Sequence, residues 1–132
     1  MLAIFIDTIP HAEQRYPTVG DYFYPVTQSD HTPPYMEVKI SELGNEDFEF
    51  CVAIHELIEA HLCRRRGISE DSITRFDRAY EAARQLGDYS EPGDSPEAPY
   101  QREHRFATTI ERLLADELGL DWLEYESTIN RL

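Results

Sequence analysis

Hydrophobic and polar positions change their period once along this chain, near Asn45. Before it, Tyr35-Met36-Glu37-Val38-Lys39-Ile40 alternates with period two, the pattern of a half-buried strand. Residues 2–7, rich in Ile and Phe, read as a second strand. Tyr22-Phe23-Tyr24 and Val26, set among the breakers Pro17, Gly20, Pro25, Pro33 and Pro34, predict a third over 21–26. The first forty residues therefore predict a small antiparallel sheet.

After Asn45 the period becomes helical. Asn45 is a good N-cap, and Glu46, Asp47 and Glu49 put negative charge on the first turn. The helix runs to Arg66, where Arg64, Arg65 and Arg66 suit the C-terminal dipole and Gly67 suits the turn out of it. Ser69 caps a second helix over 70–86, with Ile73, Phe76, Tyr80 and Ala83 as its apolar stripe. Residues 87–99 form an acidic loop. Pro99 can open a third helix over 99–118, which Gly119 stops. Trp122, Tyr125 and Ile129 suggest a short terminal helix packed on the body. The expected class is α+β, in one domain over 1–132: a sheet-forming part (1–44), then a helical part (45–132) of three main helices.

Composition narrows the function classes. Twenty-six acids against twelve bases give a net charge of −14. That disfavours nucleic acid and anionic membrane, both of which need a basic face. It leaves a well-solvated surface, affinity for cations or basic partners, or charge mimicry of a nucleic acid. Mean hydropathy is −0.54, and no apolar run approaches the ~20 residues of a membrane span. Met1–Asp7 lacks a basic region and reads as a strand, not a signal peptide. Cys51 and Cys63, on one helix, stand ~18 Å apart along its axis, too far for a disulfide. Both read as small buried apolar residues. Unpaired thiols without a signal peptide predict a cytoplasmic protein. Oligomeric state leaves no mark on the sequence.

The chemistry concentrates in Cys51-Val-Ala-Ile-His-Glu-Leu-Ile-Glu-Ala-His-Leu-Cys63. Apolar residues surround this helix, so it is buried on most sides. Yet it carries His55, Glu56, Glu59 and His61, and burying unpaired ionisable groups costs several kcal/mol. His55 and Glu59 stack at i and i+4, on a face shared with Cys51, Val52 and Leu62. His61 points elsewhere. On the 99–118 helix, His104, Ala107, Thr108, Glu111 and Ala115 share one face, its small residues permitting close approach. If the two faces meet, His55, Glu59 and His104 converge as two imidazoles and a carboxylate, the ligand set of a catalytic zinc site. Glu111 is then a fourth ligand or an acceptor that orients His104. A buried His55–Glu59 ion pair and a metal-free dyad are the competing arrangements. His11 and His31, in Pro-rich loops, receive no role. The acidic loop is a solvated segment or the lining of the site's entrance.

His55-Glu56-Leu57-Ile58-Glu59 resembles the zincin metalloprotease helix His-Glu-x-x-His, with Glu in place of the second His. The order of small sheet, motif helix and later ligand-bearing helix is similar too. The resemblance implies Zn²⁺ as cofactor and Glu56 as general base, in a hydrolase of peptide or amide bonds that docks an extended substrate on an edge strand. The ligand set is kept in kind but exchanged in position: Glu59 stands where the family has His, and His104 where it often has Glu. The whole chain also resembles small uncharacterised proteins of bacteria and their phages that carry a His-Glu-Leu-Ile-Glu-Ala helix, a Glu-Pro-Gly-Asp loop and a Glu-His helix.

Two other functions suit the sequence. Glu56-x-x-Glu59 with Asp116-Glu117 suggests a Mg²⁺-dependent nucleoside triphosphate pyrophosphohydrolase, although Mg²⁺ takes oxygen ligands and leaves the histidines unused. The acidic surplus suggests a non-enzymatic inhibitor or nucleic-acid mimic that occupies a basic protein surface.

Overall fold

The computed structural model describes residues 3–25 and 35–132. Leu2 and Val26, counted in the expected strands, lie outside the described residues, as do His31, Pro33 and Pro34. Three strands form one sheet in the order β1-β3-β2: β1 (Ala3–Ile9), β2 (Gly20–Phe23) and β3 (Tyr35–Ser41). Four α-helices follow: α1 (Glu46–Arg65), α2 (Glu70–Ala82), α3 (Gln101–Glu117) and α4 (Trp122–Asn130). The architecture is α+β, a small N-terminal sheet followed by helices.

The expected antiparallel sheet is in fact mixed. β2 pairs antiparallel with β3, from Gly20↔Ile40 to Phe23↔Glu37. β1 pairs parallel with β3, from Ala3↔Tyr35 to Ile9↔Ser41. Period-two alternation specifies the face of a side chain and is silent on strand direction. Parallel neighbours need a crossover of a dozen residues or more, which the stretch 10–34 is long enough to supply. The central strand β3 carries the alternation into the core: Met36, Val38 and Ile40 are buried, while Glu37 and Lys39 lie on the other face. The edge strand β1 leaves Ile4, Phe5 and Ile6 about half exposed.

α1 begins where its cap predicts. Asn45 Oδ1 accepts from the amides of Asp47 (3.0 Å) and Phe48 (3.1 Å). It ends in a left-handed glycine, Gly67 (φ 72°), with Ile68 N–H donating to the Cys63 carbonyl at 2.9 Å. Cys51 and Cys63 are buried free thiols. α2 stops earlier than expected, at Ala82. Arg84 there turns back to donate to the Glu81 carboxylate and the Asp88 carbonyl, closing a turn ahead of Gly87. α4 sets Tyr125 in the core between Phe48 and Trp122, at ring separations of 5.2 and 5.1 Å. Among the described residues no helix is long and apolar enough to cross a membrane.

α1 packs chiefly on α3 and on the inner face of β2 and β3. The α1–α3 pairing is antiparallel. Later residues of α1 meet earlier residues of α3, as the contacts Arg66–Glu103, Glu59–His104 and His55–Glu111 show. Ala107, fully buried in the seam, lets the two backbones approach.

Candidate metal centre

α1 presents His55 and Glu59 one turn apart, and the antiparallel α3 delivers His104 between them. Three donor atoms converge. His55 Nε2 lies 3.2 Å from Glu59 Oε2 and 3.2 Å from His104 Nδ1, and His104 Nδ1 lies 2.9 Å from Glu59 Oε2. All three residues are buried. Zinc–ligand distances of ~2.0–2.2 Å imply tetrahedral edges of about 3.3–3.6 Å. The donor triangle is therefore within a few tenths of an ångström of one face of a zinc tetrahedron.

The far nitrogen of each imidazole meets a carboxylate. His55 Nδ1–H donates to Glu111 Oε2 at 2.8 Å, and the Tyr125 hydroxyl donates to the other oxygen, Glu111 Oε1. His104 Nε2–H donates to Glu91 Oε2 at 2.8 Å. Such pairs fix ring orientation and tautomer and strengthen the nitrogen that faces the ion. The expectation that Glu111 orients His104 is thus corrected: it orients His55. The reason is helical rise. Glu111 lies seven residues beyond His104, ~10 Å along the axis, which brings it level with His55 on the opposing helix.

The partner of His104 comes from the acidic loop. The tight 3-10 turn Pro92–Asp94 follows Glu91 and packs its middle residue against the imidazole. A Cβ built on Gly93 would lie 2.3 Å from His104 Cγ, so only glycine fits. Asp94 Oδ1 is 3.7 Å from His104 Nε2, and Glu91, Asp94 and His104 form a second group of potential ligands. Both groups use the same imidazole. Filling both would strip it of its last proton, so Glu91 is assigned here to the hydrogen bond. Gly93→Ala is expected to push the His104 ring off the donor triangle. The imidazole resonances of His104 should shift and any bound metal be lost, while the helical circular dichroism stays intact. Unchanged His104 resonances would mean that the turn yields and does not position the ring.

Electrostatics reflect this packing. Burial alone would lower the pKa of His104, but the Glu59 and Glu91 carboxylates prevail and raise it to about 10. Burial likewise opposes the charged form of His55, yet its bonds to Glu111 and Glu59 carry its pKa well above the ordinary value. Burial would raise Glu59; the N–H groups of His104 and His55 overcome it and hold the carboxyl down at about 2. With no ion between them, these shifts favour a proton on each imidazole and a charged Glu59.

Glu56 stands beside the triangle and against β2. A Cβ on Gly20 would lie 2.5 Å from Glu56 Oε1, so this glycine makes room for the carboxylate. Burial and the nearby Glu59 charge hold the Glu56 carboxyl well above its usual range. His61 is exposed, as its angular position predicts. Asp116 and Glu117 are exposed and take no part in the cavity around Glu56 and Glu59.

That cavity has a volume of about 710 Å³ and opens beside the triangle. β2 contributes Gly20, Asp21 and Tyr22 to its wall, and the acidic loop contributes Glu91 and Gly93. Sequence reasoning left three features unread: Glu91 with Gly93, Tyr125 beneath Glu111, and a further buried carboxylate, Asp77, held by the hydroxyls of Tyr100 (2.5 Å) and Tyr16 (3.0 Å). The Pro-Gly turn just ahead of the His104 helix was the available signal for the first. The others join segments far apart in sequence. Comparison of the chain with protein-family models, with curated proteins and with solved structures gives no significant match.

Proposed function

We propose that this chain is a zincin-like metal-binding protein, holding one divalent ion of the zinc type on His55, Glu59 and His104, and that the site serves hydrolysis of peptide or amide bonds in the cytoplasm. One observation carries the reading: three buried donor atoms lie 2.9–3.2 Å apart, with the outer nitrogen of each imidazole on its own carboxylate. A simple ion pair needs neither the second imidazole nor the second carboxylate. Two imidazoles with one carboxylate suit zinc and do not suit Mg²⁺, which takes oxygen ligands.

The bound ion would polarise a carbonyl and lower the pKa of water. A bound dication would offset the burial and the Glu59 charge that keep Glu56 protonated, so that Glu56, one residue after a ligand and on the same cavity, could accept the proton and pass it to the leaving amine. β2 is an edge strand whose residues line the cavity, so an extended peptide can add to its free edge alongside the site. With its acidic surplus the protein selects basic peptide partners over nucleic acid or anionic membrane.

Elemental analysis tests the metal, and Glu56→Gln tests the chemistry. The purified protein should hold about one zinc per chain. Glu56→Gln should keep it and lose hydrolysis of a peptide library by at least ~100-fold, the usual worth of a general base. Loss of metal in that variant would make Glu56 a ligand and remove the assigned role.

A further inference from the structure

Resting on that reading, we infer that the cavity carries a cation subsite, in which Asp77 and the rings of Tyr16 and Tyr100 receive the guanidinium or ammonium group of a basic substrate side chain.

The inference starts from a charge imbalance. Among the described residues lining the cavity there are nine acidic side chains, and Arg84 is the one Lys or Arg. Most of those carboxylates are already matched. Asp21 pairs with Arg15 at 2.6 Å, Glu81 with Arg84 at 2.7 Å, and Glu91, Glu111 and Glu59 with the two imidazoles. Arg84 is held by both oxygens of Glu81 and does not reach Asp77.

Asp77 differs from these. Its carboxylate is buried in the α2 wall, and among the described residues no Lys, Arg or His lies within ion-pair distance. Two phenols donate to it, one per oxygen, although a carboxylate has room for about four hydrogen bonds. Buried charges are normally paired. Here no cationic partner stands among the described residues, and the group faces a cavity. Burial holds the Asp77 carboxyl up at about 6, against the lowering effect of both phenols.

The surroundings fit an incoming cation. Both tyrosines that donate to the carboxylate line the same cavity, and aromatic faces attract guanidinium and ammonium groups. The ring of Tyr16 already has Arg78 5.9 Å above its centroid. Tyr100 links the subsite to the donor triangle: its hydroxyl is on Asp77, and its ring lies edge-on 6.0 Å from that of His104. A peptide whose scissile carbonyl lies at the triangle would thus place a neighbouring Lys or Arg side chain at Asp77.

The test uses n-butylguanidinium as a probe and the uncharged n-butylurea as its isostere, titrated against the ¹⁵N-labelled protein. Binding should be saturable for the guanidinium and absent for the urea. It should persist in protein treated with EDTA, so a failure of the metal reading leaves this result standing. Asp77→Asn should weaken the probe about tenfold or more, the worth of a charge-assisted hydrogen bond. Asp88→Asn, the same charge change at the rim, should stay within about twofold because solvent screens it. Should Asp77→Asn fail to fold, Tyr16→Phe replaces it: it frees a lone pair on Asp77 and should bind the probe at least as tightly. Equal binding of the urea, an unchanged Asp77→Asn, or weaker binding by Tyr16→Phe would each overturn the subsite.

Discussion

His55→Ala should leave the purified protein without stoichiometric zinc, while Glu91→Gln and Glu111→Gln keep it with affinity about 10–100-fold weaker. The grading follows from position. His55 supplies Nε2 to the triangle, 3.2 Å from each of the other donors, and alanine leaves nothing in its place. His104→Ala and Glu59→Ala should behave alike. Glu91 and Glu111 touch only the outer nitrogens, so the amide variants leave three donors in place and lose ring orientation and basicity. Glu91→Gln is the cleaner of the two. Its side chain is half exposed, so a change in stability will not mask the change in affinity. Glu111→Gln also disturbs the bond from buried Tyr125 and should cost stability as well. The competing buried-ion-pair arrangement predicts a different table. The wild type would then hold no metal, and breaking the pair would appear only as a loss of about 3–5 kcal/mol of folding stability. Competitive chelator titration of the five variants separates the two. Equal metal affinity in His55→Ala and Glu91→Gln would remove the distinction between ligand and orienting carboxylate.

Much of this site was legible in the sequence because helices are regular. The i, i+4 spacing of His55 and Glu59 fixes their shared face, and small residues around His104 mark the seam where α3 meets it. An apolar helix carrying four ionisable side chains states its own electrostatic problem. What stayed hidden depends on irregular or long-range structure. Helix direction decides whether Glu111 meets His55 or His104, and the sequence does not encode an antiparallel seam. The direction of β1 is lost for the same reason: alternation marks faces, and both directions bury Val38 equally. Glu91 reaches His104 only because a turn lays Gly93 flat on the imidazole, and a loop of acids reads as solvated until that turn is seen. Asp77 stands four residues after Ile73, beside the apolar stripe of α2, and nothing local marks what it meets. Its partners Tyr16 and Tyr100 stand 61 and 23 residues away, outside any local pattern.

Metal-free and zinc-loaded protein should diverge in stability as pH rises from about 7 to 10, the metal-free form falling by a few kcal/mol in all. The sign follows from which protonated groups the fold favours. His104 has a folded pKa of about 10 against an ordinary 6.5, so its contribution is complete below 6.5 and is lost as pH rises through 10. His55 is raised as well and acts in the same direction. Glu56 is a carboxyl raised well above its ordinary value, so the fold prefers it protonated and it too loses stability with rising pH. No raised group opposes these on the alkaline side. In acid the effects oppose: Glu59, held down at about 2, loses stability as pH falls through that value, whereas Asp77, raised to about 6, gains as it is protonated. Glu91, lowered by His104 against the effect of burial, adds to the loss in acid, so the alkaline limb, where these effects agree in sign, is the informative one. Zinc on the proposed site would reverse the alkaline trend. Its ligands must be deprotonated, so binding expels the trapped protons and tightens as pH rises. The stabilisation it confers grows with the ratio of free metal to dissociation constant. Denaturant unfolding at pH 7, 8 and 9, with EDTA or with excess zinc, measures the difference directly. Calorimetry in buffers of different ionisation enthalpy should in parallel register proton release on zinc binding. Parallel stability curves, or zinc binding without proton release, would mean that the ion does not enter between His55 and His104.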